Sequence, residues 1–365
     1  MKSTRLKFDL IDRTLRFRFE AGTSRGILNS RKIWWIRARE SSSSVEGWGE
    51  AAPLVNLSID DRPDFEQKLQ EILSIAEQIH WSSQENKVLD QVEQLVSWEF
   101  PSIRFGLEMA VLDWNSGGRK QFFENDFRDE FKPIPINGLI WMGDRQFMLD
   151  QIEQKLDEGF NCIKMKIGAI DFDQELELLS HIRKTYSSDQ IILRVDANGA
   201  FRFEEAMVKL KKLAELDIHS IEQPIPSGQW REMAQLCSST PIPIALDEEL
   251  IGVRDKENLL DSIQPQHIIL KPTLLGGFRE TSEWIRLAKA RNIGWWMTSA
   301  LESNVGLNAI AQLASFHRSE IHQGLGTGKL YHNNLQSPLL VKNGLIYYQS
   351  SESWETPDKD SKANK

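Results

Sequence analysis

The chain has 365 residues, of which 40% are hydrophobic and 27% charged, and its formal net charge is −9. This composition is ordinary for a globular protein, and the lack of a basic stripe argues against nucleic acid and anionic membranes as partners. No window approaches the roughly 20 apolar residues of a membrane span, and the N-terminal stretch lacks the apolar segment of a signal peptide. The two cysteines, Cys162 and Cys237, fit a reducing compartment. We expect a cytoplasmic protein with two domains, or a barrel with a satellite domain.

The first third of the chain, residues 1–125, is predicted to form an α+β domain in which strands precede helices. The segments FRFEAG and KIWWIRARE combine aromatic and branched residues with alternating charge, which is typical of an antiparallel strand pair. The glycines and the proline of GWGEAAP are expected to break the chain after this pair. Apolar residues then recur at helical spacing over residues 65–80 and 102–115, which predicts two helices.

Between residues 126 and 334, short apolar segments alternate with helical stretches. Helices are predicted over 144–158, 172–185, 203–216 and 281–290, and the candidate strands are PIPING, CIKMKI, IILRVD, HSIEQP, IPIALD, HIILKP, GWWMTS and EIHQGLG. Eight strand units in about 200 residues predict a TIM barrel, with a doubly wound parallel sheet as the alternative. Polar residues at the C-terminal ends of the strands favour the barrel.

The end of the chain returns to strand-like sequence. Residues 335–354 contain LLVKNGLIYYQ with an Asn-Gly turn, and we expect this segment to rejoin the first domain. Residues 355–365 are predicted to form a polar, disordered tail.

Three carboxylates, Asp196, Glu222 and Asp247, follow successive predicted strands at nearly even intervals. Each alone could be a helix N-cap or a solvated charge, Asp247 in particular. Brought together at one barrel mouth, they would raise one another's pKa unless a cation neutralised them. Oxygen ligands without a cysteine or histidine cluster favour a hard ion. The trio therefore predicts a Mg²⁺ site, with Mn²⁺ as a substitute.

Lysines bracket the three acids along the chain. Lys164 and Lys166 lie two residues apart, so a strand places both on one face, which is the interior face in a barrel. The simpler alternative is a strand-end lysine that reaches solvent. Two adjacent ammonium groups near a metal ion are expected to lower each other's pKa, so that one can act as a base near neutral pH. With Lys271 entering from the far side of the mouth, the set suits proton removal next to a carboxylate.

Two further segments near the predicted mouth bear on the substrate. The sequence GLGTGK lacks the spacing of a P-loop and is interpreted as the loop after strand eight, where the amides of Gly324 and Gly326 could hold a carboxylate. Asn198 comes two residues after Asp196, where it either forms only a turn or supports the ligand.

The motifs KMK, RVDANG, IEQP, LDE and LKP, in this order, resemble the enolase superfamily and, within it, the muconate-cycloisomerase-like subgroup. The resemblance covers essentially the whole chain, including GWGEAAP and SALESNVGL. It implies a (β/α)7β modified TIM barrel with an α+β capping domain built from the N-terminal third and the C-terminal segment. Strand seven has no histidine, and GLGTGK stands where dipeptide epimerases carry Asp-x-Asp. With Arg194 in RVDANG, these features resemble the o-succinylbenzoate synthase family of menaquinone biosynthesis.

The resemblance also implies a reaction, the syn dehydration of a cyclohexadiene carboxylate, SHCHC, to o-succinylbenzoate. Lys166 would remove the proton α to the small-molecule substrate's carboxylate, Mg²⁺ would hold the enediolate, and protonated Lys166 would assist the departing hydroxide. Lys271 would stabilise the enediolate from the opposite face, while Lys164 would tune Lys166 and touch the carboxylate. The expected substrate contacts are Ser24 and Arg25 in a closing loop, and Arg194, Asn198, Ser299, Gly324 and Gly326.

Three other functions remain as alternatives, of which a cycloisomerase of aromatic breakdown is the least favoured. A dipeptide or N-acylamino acid epimerase or racemase of the same superfamily would use both lysines as bases on opposite faces of the substrate. A non-catalytic binding protein on this scaffold would be expected to lack a lysine or a metal carboxylate, and none is missing here. The sequence predicts no particular oligomeric state.

Overall fold

The computed structural model describes residues 3–23, 26–128 and 132–357. Ser24, Arg25 and residues 358–365 of the predicted tail lie outside the described residues. The tail begins with an ordered residue, because the amide of Glu355 donates to the carbonyl of Gln336 at 3.1 Å. No helix in the described part of the chain is long and apolar enough to cross a membrane.

The N-terminal third forms a capping domain of strands and helices. Its elements are β1 Ser3–Arg5, β2 Lys7–Thr23, β3 Gly26–Arg39, β4 Glu46–Ala51, α1 Phe65–Ala76, β5 His80–Ser82, α2 Glu85–Leu95 and α3 Pro101–Asn115. Strands β2, β3 and β4 make one antiparallel sheet, and β1 pairs with β5. Helix α3 is buried throughout its first 13 residues because it lies between this sheet and the helices of the barrel.

The expectation that GWGEAAP breaks the chain is wrong, since most of this segment is strand β4. Its glycines serve close packing. A Cβ atom on Gly47 would lie 2.1 Å from the carbonyl oxygen of Ala110, and one on Gly49 would lie 1.9 Å from that of Gly106. Strand β4 therefore rests directly on the backbone of α3, and only glycine permits that distance.

The second part of the chain alternates strands and helices. Its elements are β6 Ile134–Pro135, β7 Gly138–Ile140, α4 Arg145–Asp157, β8 Cys162–Lys166, α5 Phe172–Thr185, β9 Ile192–Asp196, α6 Phe203–Ala214, β10 Ser220–Glu222, α7 Trp230–Ser239, β11 Ile244–Leu246, α8 Lys256–Ile263, β12 His267–Leu270, α9 Pro272–Leu275, α10 Gly277–Ala290, β13 Gly294–Met297 and α11 Asn304–Phe316. Short 3₁₀ turns cover Glu248–Leu250 and Gly326–Lys329. The predicted helices are present within a few residues of their expected limits.

Strands β7 to β13 form one parallel sheet in chain order, and a short eighth segment closes it into a barrel. The amide of Gln323 donates to the carbonyl of Pro135 at 2.8 Å, and the amide of Gly324 donates to that of Met297 at 2.7 Å. The predicted fold class, a modified TIM barrel with an α+β cap, is confirmed.

Two of the predicted barrel strands differ in detail. EIHQGLG is not a regular strand, because only isolated bridges form at Gln323 and Gly324. The side chain of Gln323 replaces one backbone hydrogen bond between the strands, because its Oε1 accepts from the amide of Met297 at 2.7 Å. PIPING serves two sheets. Ile134–Pro135 pairs with the C-terminal hairpin, where Pro135 needs no amide hydrogen, Ile136 bridges Gln323 where the barrel closes, and the regular barrel strand begins at Gly138.

The C-terminal segment rejoins the capping domain only in part. Its strands β14 Leu339–Lys342 and β15 Leu345–Tyr348 form a hairpin that pairs with β6 rather than with the capping sheet. The return contact comes just before it, where the amide of Arg18 donates to the carbonyl of Leu330 and that of His332 donates to Arg16, both at 2.9 Å. Leu335 belongs to a hydrophobic cluster that also contains capping-strand residues, and Trp354 packs against this cluster. The predicted domain limits remain a prediction.

Candidate active site

Six charged side chains meet inside the barrel at the C-terminal ends of its strands. Lys164 and Lys166 come from β8, Asp196 from β9 and Glu222 from β10, while Asp247 and Lys271 follow β11 and β12. Because Lys166 is in register with Asp196, and Asp196 with Glu222, the parallel pairing sets these side chains next to one another. All six are almost completely buried.

The acids and lysines pair with one another. The ammonium group of Lys164 lies 2.7 Å from Glu222 Oε2 and 3.1 Å from Asp196 Oδ2, and that of Lys166 lies 2.9 Å from Asp196 Oδ2. Lys271 forms an ion pair with Asp247. The alternative interpretation of Asp247 as an N-cap is wrong, since its side chain caps no amide of the following turn.

These pairs set the protonation of the buried groups. Burial opposes the charge on Lys164, but Asp196 and Glu222 outweigh it and hold the pKa of Lys164 well above its ordinary value. Burial also opposes the charge on Asp196, yet Lys164 and Lys166 keep its pKa well below the usual range. The pKa of Glu222 is raised well above its ordinary value by burial and by Asp196. The expected lowering of a lysine pKa applies to a mouth that holds a metal ion and stays a prediction; with the acids free to pair with Lys164, its pKa is raised.

Lys271 occupies the other side of the same mouth. Burial acts against its charge, but Asp247 and Glu222 raise the pKa of Lys271 above the ordinary lysine value. Its strand, β12, lies four places from β8 in the parallel sheet. In a barrel closed by an eighth segment, four places are half of the circumference, so Lys166 and Lys271 stand on opposite sides.

Asn198 fixes the position of Lys166. The ammonium group of Lys166 donates to Asn198 Oδ1 at 2.7 Å, and Asn198 Nδ2 in turn donates to Glu248 Oε1 at 3.0 Å. The backbone of Asn198 is left-handed, with φ of 43°, a conformation that asparagine tolerates. Asn198 forms a turn and also supports the ligand candidate, because its backbone amide donates to Asp196 Oδ1 at 3.1 Å.

A cavity of about 1010 Å³ opens above these groups. Lys164, Lys166, Asp196, Asn198 and Lys271 lie on its floor side, and the remainder of the wall comes from both domains. The capping domain and the barrel loops contribute a largely apolar part that includes Phe19, Leu28, Leu54, Trp141 and Leu301. A buried charged floor under a partly apolar wall is the usual construction of an enzyme site.

Residues 148–351 match the family model described as Enolase C-terminal domain-like. The chain is 47% identical to an o-succinylbenzoate synthase of Desulfotalea psychrophila, over 90% of this chain and 95% of the relative. The chain belongs to the enolase superfamily. The crystal structure of MenC from D. psychrophila LSv54 superposes with a TM-score of 0.83 at 41% identity, covering 94% of this chain and all of that one. A more distant relative is the L-Ala-D/L-Glu epimerase of Bacillus subtilis, 25% identical over 87% of this chain and 84% of the relative.

Enolase-superfamily members generally use Mg²⁺, and the donor set at this mouth fits such an ion by its chemistry. Asp196, Glu222 and Asp247 offer carboxylate oxygens only, and Glu222 Oε1 is buried without a hydrogen-bond partner among the described residues. Within those residues the three acids do not already form a metal-binding group. Each of them is paired with a lysine instead, so the lysines supply the positive charge that the acids need.

Ser299, Gly324 and Gly326 line the cavity of this superfamily member, as expected for substrate contacts. The hydroxyl of Ser299 is engaged by protein groups: it donates to Glu302 Oε2 at 2.6 Å and accepts from the amide of Leu301 at 2.9 Å. Gly324 must be small, because a Cβ atom there would lie 2.3 Å from Thr298 Oγ1.

Arg194 does not line the cavity, so the expectation that it contacts substrate is not supported. Its side chain points into the barrel, but one layer below Asp196. There it lies over the ring of Trp296, 4.1 Å from the ring centroid, and donates to the carbonyl of His322 at 2.8 Å. Ser24 and Arg25, the predicted closing-loop contacts, lie outside the described residues.

Residues 298–303, the loop after β13, are held against the cap by residues that were not predicted from the sequence. Glu50 accepts hydrogen bonds from Ser303 and from the amide of Gly306 at the start of α11. Tyr331 donates to the carbonyl of Leu301 at 2.6 Å. Ser303, at the start of α11, is an N-cap residue that the sequence could have indicated. The sequence contains no signal that Glu50 accepts hydrogen bonds from this turn.

Proposed function

We propose that this protein is an o-succinylbenzoate synthase, which dehydrates SHCHC to o-succinylbenzoate in menaquinone biosynthesis. The 47% identity to a relative of that name, over nine-tenths of the chain, supports the substrate. The observation that carries the chemistry is the placement of two buried lysines on opposite sides of one cavity, each ion-paired to a strand-end carboxylate. The enzyme is a lyase.

Lys166 is proposed as the base. In its neutral form it takes the proton from the ring carbon that bears the substrate's carboxylate, and the C–H electron pair is delocalised into that carboxylate. The same ammonium group then gives its proton to the departing hydroxyl on the same face of the ring. One C–H and one C–O bond break, one water leaves, and the ring becomes aromatic. Asn198 and Asp196 hold Lys166 in place for both transfers.

The other charged residues are proposed to stabilise the negative charge that develops on the substrate. Lys271 acts from the opposite face, and Lys164 positions the substrate's carboxylate beside Lys166. Asp196, Glu222 and Asp247 would hold Mg²⁺, with Mn²⁺ as a substitute, and this ion would neutralise the charge on the carboxylate oxygens. Ser299 and the amides of Gly324 and Gly326 are proposed contacts for the remainder of the substrate. We propose a cytoplasmic location for the enzyme.

The test is a dehydration assay with SHCHC in the presence of Mg²⁺, after EDTA, and after Mg²⁺ is restored. We expect turnover that EDTA abolishes and Mg²⁺ recovers, with an unchanged circular dichroism spectrum because the lysines still pair with the acids. A panel of dipeptides and N-succinyl amino acids is assayed alongside. Rapid epimerisation of this panel without any turnover of SHCHC would overturn the proposal and favour a two-base epimerase.

A further inference from the structure

Leu301 has an unusual backbone at the edge of the cavity. Its φ is 68°, and within the described ranges it is the one apolar residue other than glycine with a left-handed backbone. For a residue with a bulky side chain this conformation is strained, because Cβ comes too close to the backbone carbonyl oxygen. Such strain persists only where the surrounding structure determines the conformation.

The surroundings of Leu301 do determine it. Its amide donates to Ser299 Oγ at 2.9 Å, and its carbonyl accepts from the hydroxyl of Tyr331 at 2.6 Å. Arg31 of the capping sheet donates to the carbonyl of the preceding residue, Ala300. Tyr331 is itself buried against Phe17, with 4.7 Å between ring centroids. Both domains therefore hold the loop in this shape.

The strained backbone sets the Leu301 side chain into the apolar wall. Leu301 is 8% exposed, lines the cavity and packs in the same cluster as Leu54 and Trp141. We propose that Leu301 is a specificity-determining residue, held in a strained conformation by Tyr331 so that its side chain contacts the carbon skeleton of the substrate. Resting on the proposed function, this inference assigns the apolar wall to the cyclohexadiene ring and its methylene arm.

The experiment compares L301A and L301G. Both remove the side chain, and we expect both to raise KM for SHCHC roughly tenfold while kcat changes little. They differ in strain: alanine must keep the left-handed backbone, whereas glycine adopts it freely. L301G is therefore expected to melt about 2 °C or more above L301A. The matched control is Gln264, an exposed residue with a left-handed backbone at the end of α8. Q264G is expected to melt above Q264A by a similar amount, and neither variant should change KM.

Two additional measurements separate a substrate contact from a structural role. Y331F, which alters a residue outside the cavity lining, should also raise KM, because the carbonyl of Leu301 loses its hydrogen bond. The ratio of kcat/KM for SHCHC to kcat/KM for N-succinylphenylalanine should fall in L301A, because the enlarged cavity accommodates a bulkier substrate. Unchanged KM in both Leu301 variants, or an L301A as stable as L301G, overturns the inference. If wild-type enzyme racemises N-succinyl amino acids without dehydrating SHCHC, the proposed function fails, and the Leu301 variants are then judged by KM for those substrates.

Discussion

Two layers of polar residues face the interior of the barrel, and they behave in opposite ways. In the upper layer, at the mouth, Asp196 and Glu222 pair with Lys164, and Asp196 and Lys164 line the cavity. In the lower layer, two residues earlier on the same strand, Arg194 has no carboxylate partner among the described residues and lies on Trp296. Because side chains alternate along a strand, the residues of both layers point into the barrel interior. Only those at the mouth reach the cavity, whereas those below it pack against other side chains.

Removal of the proposed base should have the largest effect and would show that the upper layer is catalytic. K166M is expected to lower kcat for dehydration by about a thousandfold or more, because proton transfer has no substitute of similar geometry. The variant should keep its fold, since Lys164 still pairs with Asp196. The value of kcat is measured from the loss of SHCHC in stopped-flow or steady-state assays, and circular dichroism checks that the variant is folded. A K166M enzyme with a tenth or more of wild-type kcat would exclude Lys166 as the base.

Substitution of Arg194 tests the lower layer and should separate stability from catalysis. R194A removes the group that covers Trp296 and leaves a cavity, so we expect the free energy of unfolding to fall by about 2–3 kcal/mol. R194M preserves most of the volume and removes an unpaired buried charge, so its loss should be smaller. Both should retain kcat/KM within about threefold. Urea unfolding and the dehydration assay provide the two readouts, and a large kinetic defect in R194M would return Arg194 to the substrate site.

Acid sensitivity should arise from three histidines around Arg194 and Trp296, and it is the smallest of these effects. The rings of His219 and His267 lie beside Trp296, and the carbonyl of His322 accepts from Arg194. Burial, and secondarily the charge of Arg194, lowers the pKa of His219, His267 and His322 to about 4, from an ordinary 6.5. The unfolded chain thus binds these protons below pH 6.5, whereas the native protein binds them only near pH 4. Their contribution to stability is present above pH 6.5 and is lost as the pH falls toward 4.

The measurement is urea unfolding at pH 7 and pH 5. A variant that carries His219→Gln and His267→Gln should lose less stability between these pH values than wild type. The exposed His181 serves as the control, and His181→Gln should leave the difference unchanged. An identical pH dependence in wild type and the double variant would mean that other groups cause the acid sensitivity.

The sequence predicted the barrel and its charged mouth well because strand period and strand ends are local properties. Lys164 and Lys166 alternate correctly, and Asp196, Glu222 and Asp247 stand at the ends of strands whose register is fixed by parallel pairing. The enolase-superfamily motifs then gave the family. These local patterns specify on which face of the sheet a side chain lies and at which end of the strand it stands, provided that the strand is regular.

Depth, backbone strain and contacts between domains were not predictable in this way. The side chain of Arg194 points into the barrel, as its strand position predicts, but it lies too deep to line the cavity. Gly47 and Gly49 look like breakers, and only the position of α3 shows that they permit close packing. Leu301 adopts a conformation that its residue type disfavours, and its cause lies in Tyr331, far along the chain. Each of these depends on a neighbour that is distant in sequence.

The carboxylate of Glu50 has a consequence for how such proteins can be recombined. It belongs to the capping sheet but completes the first turn of α11 in the barrel, through Ser303 and Gly306. Exchange of the cap with a protein that lacks this pair would leave either a buried acid without donors or a helix start without its acceptor. Chimaeras should therefore fold only when both partners keep this pair, so the two domains are expected to be inherited together.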